Sequence, residues 1–168
     1  MIVSTSLLLG FIFSVSQLCL AQHMDKAHQT TPAYLNEPML LESESKYSFP
    51  ETVAKLTAEV AKKAWKISVI HDLQETLKKN GTDVLPVKVF ELCHPKHSSK
   101  ILLKDDERIV SSVMPCRISV YEKSNGKTYI SRMNSGILAK SFGGTVESVM
   151  TEASREVEEI LSLLVESK

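Results

Sequence analysis

An α+β fold, a mostly antiparallel sheet with helices on one face, is predicted by three observations. Asn125-Gly126 separates two strand-like segments and is a strong hairpin signal, since both residues tolerate positive φ. Two long segments, 53–64 and 146–164, repeat apolar residues at the helical period, as helices packed on one side do. Helices and hairpin-linked strands follow each other in an order suited to an α+β sandwich.

The elements follow in order. The domain is expected to begin near Ser45, with a strand start at Lys46, Tyr47 and Ser48. Ser48 and Glu51 have capping-box spacing, and Pro50 is tolerated in a first helical turn. Val53, Leu56, Val60 and Ala64 form that helix's apolar stripe. Residues 65–70 read as a strand, Ile67 and Val69 alternating with Lys66 and Ser68. Asp72 and Glu75 cap a short helix holding Leu73 and Leu77 inside, and Asn80-Gly81 stops it. Residues 84–92 are β-branched and strand-like, with Pro86 at an edge or bulge. Residues 99–113 look helical, burying Ile101, Leu102, Ile109 and Val113. Residues 117–122 alternate with Ile118 and Val120 on one face, and 127–133 return after the hairpin. Gly143-Gly144 opens the last helix, read as a helix-entry turn rather than an anion site.

The chain has 168 residues, enough for one domain and a leader. Residues 1–21 carry no charged side chain, and small residues Cys19 and Ala21 surround a cut after Ala21. That shape predicts a signal peptide, a periplasmic or secreted protein, and no membrane span after cleavage. Residues 22–44 read as a flexible linker without a period, broken by Pro32 and Pro38. Its His23, Met24, His28 and Met39 are copper-type donors, but a polar tether accounts for them. Residues 45–168 are then a single α+β domain. Lys and Arg number 20, as do Asp and Glu. This balance argues against a dedicated nucleic-acid binder, which needs a basic face, and gives no long-range pull toward an anionic membrane.

Two cysteines remain beyond the leader. Cys93 ends a strand in Glu-Leu-Cys-His-Pro, and Cys116 starts one in Met-Pro-Cys-Arg. In an exported protein such thiols form a disulfide, pack as buried thiols, bind a soft ion or do redox chemistry. A Cys93–Cys116 disulfide would close a loop of about 23 residues and add roughly 3 kcal/mol. As a metal site the donors are Cys93, Cys116, His94, His97 and Met133, suited to Cu(I) or Zn(II). Haem is the other candidate cofactor, although the Cys-x-x-Cys-His of covalent attachment is absent. As a reactive-thiol site the set is Cys93, Cys116 and Arg117, with Arg117, Lys96 and His97 as cations that lower a thiol pKa. Asp105-Asp106-Glu107 lacks calcium-loop spacing and reads as a helix face, and His71 reads as structural.

The stretch Glu91 to Pro95, the run Met114 to Glu122, Asn125-Gly126-Lys127 and Met133-Asn134 together resemble the bacterial domain-of-unknown-function family 302. The resemblance runs from about residue 45 to 161. It implies a β-α-β-β-β-β-α fold of the TATA-binding-protein-like class, here with an extra helix between strands and no nucleic-acid role. It also implies antiparallel strands around the two cysteines, which puts both at one edge of the sheet. His94 departs from the family, whose members often carry Asn there. No activity comes with the family.

The leading expectation is therefore an exported, non-enzymatic binding or carrier domain for an unknown small ligand, forming a homodimer. The alternatives are a thiol-dependent redox or sulfur-transfer protein and a disulfide-held interaction module.

Overall fold

The computed structural model describes residues 37–166. The expected signal segment 1–21 and residues 22–36 of the expected linker lie outside the described residues. The elements are β1 (Leu40–Glu44), α1 (Phe49–Lys62), β2 (Lys66–Asp72), α2 (Leu73–Lys79), β3 (Val87–Cys93), α3 (Pro95–Leu102), a 3₁₀ helix (Asp105–Val113), β4 (Cys116–Glu122), β5 (Thr128–Met133), α4 (Ser135–Ala139) and α5 (Gly144–Ser162). This is the expected mixed α+β fold. Among the described residues five strands form one sheet in the order β1-β5-β4-β3-β2, every pair antiparallel.

One face of the sheet makes the core. Phe90 and Leu92 of β3, Ile118 and Val120 of β4 and Ile130 of β5 point inward and are essentially inaccessible. Leu56 and Val60 of α1 and Val157, Ile160 and Leu161 of α5 close over them in one cluster. Removing each such side chain from water stabilises the fold by roughly 1.5–3 kcal/mol. A smaller cluster, Ile101, Val110, Val146 and Val149, joins α3, the 3₁₀ helix and the start of α5 beside the main core.

Local signals explain the helix ends. The Glu51 carboxylate accepts from the Ser48 N–H at 3.2 Å and from its hydroxyl at 2.6 Å. Asp72 Oδ1 accepts from the Glu75 N–H at 2.9 Å. Gly126 takes φ 75° in the hairpin and donates its N–H to the Lys123 carbonyl at 2.9 Å.

Several local expectations are corrected. The first strand is Leu40–Glu44, in the segment expected to be linker, while Lys46 and Tyr47 form only the bend before α1. This strand has little apolar pattern of its own and is held by pairing with β5. Ala64 lies past the end of α1 at φ 60° rather than in its stripe. In β2 the register shifts between Ile67 and Val69, so Ile67 pairs with inward Leu92 and Val69 with outward Glu91. A bulge at Ser68 thus puts on opposite faces two residues expected on one. Leu73 and Leu77 are exposed, and α2 buries no residue. The expected helix over 99–113 is two pieces. It starts earlier, at Pro95, breaks at Leu103-Lys104 and resumes as 3₁₀, which rotates Val110 inward and leaves Ile109 79% exposed. Among the described residues no helix is long and apolar enough to cross a membrane.

Candidate functional site

The end of the sheet where β3 finishes and β4 begins carries a cavity of about 440 Å³. β3 delivers Cys93 as its last residue, and His94 follows as the N-cap of α3. Pro95, whose fixed φ suits a first helical position, starts α3 at once, so His97 lies in its first turn. From the neighbouring strand, Cys116 enters as the first residue of β4, its register partner being Leu92. The wall is completed by apolar side chains, among them Leu92, Ile101, Val113 and Met114, and by Val149, Met150 and Ala153 of α5.

Cys93 and Cys116 therefore share one end of the sheet and one cavity, and both are free thiols. They differ in surroundings. Cys116 shares the inward face with Ile118 and packs against the main core. Burial pushes its thiol up to about 11, and the neighbouring Cys93 adds to the rise. At neutral pH Cys116 is a protonated, weakly nucleophilic wall group. Cys93 shares a 3.4 Å hydrogen bond with the Ser98 hydroxyl.

Beside the thiols stands a compact polar cluster. The His94 and His97 ring centroids are 4.3 Å apart, and the indole of Trp65 meets His94 edge-on at 5.3 Å. His97 is buried, and its Nε2 donates to Glu156 Oε2 at 3.1 Å. The same carboxylate oxygen accepts from Trp65 Nε1 at 2.9 Å. Burial alone would raise the Glu156 carboxyl pKa. The hydrogen bonds from His97 and Trp65 outweigh it and hold the group below its usual range. Among the described residues, Nδ1 of both His94 and His97 is buried without a hydrogen-bond partner.

Two of the expected site residues stand elsewhere. Arg117 alternates to the outward face of β4, where its Nε and Nη2 lie 3.2 and 3.1 Å from Glu91 Oε1. Its charge is spent on that carboxylate, which also takes His71 Nε2 at 3.2 Å, so His71 has the partner that its sequence context did not reveal. Met133 is on the outward face at the end of β5, 40% exposed. Arg117 and Met133 line a second hollow of about 300 Å³ on that face, separated from the first by the segment 113–116 that borders both. Glu156 and Trp65 were not foreseen as site residues. The available signal was the four-residue spacing of Glu152 and Glu156 along the edge of the α5 stripe, next to Ala153 and Val157.

The family model described as "Domain of unknown function DUF302" matches residues 41–164. The chain belongs to the DUF302 family. The crystal structure of an uncharacterized conserved DUF302 protein from Bacillus stearothermophilus superposes with a TM-score of 0.67 at 18% identity, over 75% of this chain and 98% of that one. At that identity the likeness is one of fold. No protein of curated function matches the chain. The cavity of this DUF302 domain sets thiols and imidazoles beside an apolar wall.

Proposed function

We propose that this DUF302 domain is an exported, non-enzymatic binding or carrier domain that holds a small, largely apolar ligand in the cavity at the end of β3 and β4. The observation that carries the proposal is the cavity's make-up: about 440 Å³ of space walled by apolar side chains, with two free thiols and two histidines converging on it. Small-molecule sites have this character, an apolar wall with a few placed polar or polarisable groups. Export is supported by the uncharged, apolar segment 1–21 and is tested by cell fractionation, where a cytosolic product overturns it.

The binding reading is tested with the purified full chain and the amphipathic fluorophore 1-anilinonaphthalene-8-sulfonate, whose aromatic rings seek apolar cavities. Saturable binding is expected, and Val149→Phe, which sets a ring into the cavity, abolishes it while the circular dichroism spectrum stays native. Binding that is absent in the wild type, or unchanged in the variant, sinks the idea. The homodimer is assigned to the outward sheet face, where Leu40, Val69 and Met133 are exposed. A single monomeric species in sedimentation at every concentration rules it out.

A further inference from the structure

We propose that His94, His97 and Glu156 form a binding site for a borderline divalent transition ion, Zn(II) above all, with its remaining coordination position open to the cavity. One donor atom from each residue lies within 4.8 Å of the other two. Tetrahedral zinc with bonds of about 2.0–2.1 Å needs donor separations of about 3.3 Å, which small side-chain rotations supply. The backbone already has the required form. His94 and His97 stand three residues apart at the entry to α3, so their rings share one side of the helix, 40° from coplanar.

Three observations separate this cluster from an ordinary buried histidine. His97 is only 6% exposed, yet among the described residues its Nδ1 has no hydrogen-bond partner, and neither has Nδ1 of His94. Buried polar atoms are normally satisfied, and two orphans on adjacent rings mark a place where something else binds. An outer group stands where it would orient a ligand. Trp65 Nε1 fixes the Glu156 carboxylate at 2.9 Å, as an outer hydrogen-bond partner of a ligand does. The donor set also selects the ion. Two imidazoles and one carboxylate suit Zn(II), Co(II) or Ni(II), whereas Cu(I) asks for sulfur and Mg(II) or Ca(II) for oxygen alone. Three protein ligands and one open position characterise a zinc site that takes an outside molecule. Of the donors expected from the sequence this set keeps His94 and His97 and leaves out Met133, which lines the hollow on the other face of the sheet.

The proposal stands whether or not an apolar molecule occupies the cavity, so its test uses the metal alone. Chelator-treated full-length protein is titrated with zinc against a chromophoric indicator, and with cobalt in the visible. One ion per chain is expected, with tetrahedral cobalt bands and no sulfur-to-cobalt charge-transfer band. His94→Ala and Glu156→Gln each weaken zinc binding more than about 100-fold, beyond the 10–100-fold typical of losing an outer partner. The Cys93→Ser/Cys116→Ser double variant and Val149→Phe bind zinc as the wild type does. His94 is only partly buried, so its variant keeps the fold and circular dichroism checks this. A wild type that binds neither ion, zinc binding that survives both His94→Ala and Glu156→Gln, or zinc binding lost with the cysteines each overturns the assignment.

Discussion

Cys93 and Cys116 look equivalent as letters and are unequal as chemical groups. Cys116 has an inward register partner and a thiol pushed up to about 11, so little thiolate is present near neutrality. Alkylation of the native protein at pH 8 should therefore label Cys93 first, with Cys116 modified only on unfolding; peptide mass spectrometry reads the order. Equal rates would mean that Cys116 is not held in the core. The raised thiol pKa also predicts a pH dependence. The unfolded chain loses this proton near 9.0 while the folded chain keeps it to about 11, so the contribution is fully present below 9.0 and is lost as pH rises toward 11. Denaturant titrations across that range should show stability falling with pH, and Cys116→Ala should flatten the slope. Glu156 behaves in the opposite sense. Its carboxyl is depressed below 4.5 by His97 and Trp65 against the opposing effect of burial, so its contribution is complete above 4.5 and vanishes as pH falls through the lowered value. Glu156→Gln should make the acid limb of the stability profile shallower; an unchanged limb would show that these hydrogen bonds do not matter to the folded state.

At the scale of elements, legibility follows the strength of the local signal. The hairpin was readable because Asn125-Gly126 supplies its own geometry: the Asn125 carboxamide oxygen accepts from the Lys127 N–H at 3.0 Å while Gly126 adopts φ 75°. Gly126→Ala meets no steric obstacle but must place a Cβ in the left-handed region, so a loss of about 1 kcal/mol in chemical denaturation is expected. A loss near zero would mean that the turn relaxes to another type. The last helix was equally readable, its stripe from Val146 to Leu161 matching the buried face. Other elements were hidden because their geometry is set by neighbours. Nothing in Ile67-Ser68-Val69 announces a bulge; it arises from pairing β2 with β3. The periodicity of 99–113 looked continuous, and only the break at Leu103-Lys104 decides that Val110 rather than Ile109 is buried. The same division holds for the site. Cys93, His94 and His97 are neighbours in sequence and could be singled out together. Glu156 arrives from α5 across 59 residues, a juxtaposition created by packing α3 on α5.

The whole molecule depends on where the fold begins, and β1 settles this. It occupies one edge of the sheet, paired with β5 from Leu40↔Met133 to Glu44↔Tyr129. Its side chains tie three other parts together. Glu42 takes Lys123 at 2.7 Å and Tyr121, whose hydroxyl is pushed up to about 12 by burial and by that carboxylate. Glu44 takes Lys127 at 2.7 Å, and Ser43 accepts from Arg132 Nη1 at 2.9 Å, while the same guanidinium grips Glu158 of α5 through Nε at 2.8 Å. Just past the strand, buried Ser45 pairs its hydroxyl with Thr52 of α1 at 2.7 Å. Most of these ion pairs are exposed and each contributes less than about 1 kcal/mol. The backbone ladder matters more, because without β1 the strand β5 becomes an unpaired edge open to self-association. Comparing a chain that starts at Glu37 with one that starts at Ser45 isolates the effect, since the two differ only by β1 and its lead-in. The shorter chain should melt several degrees lower and aggregate more readily in thermal scans with light scattering. Equal melting temperatures would show that β1 adds nothing to the folded domain and that the sheet is complete with four strands.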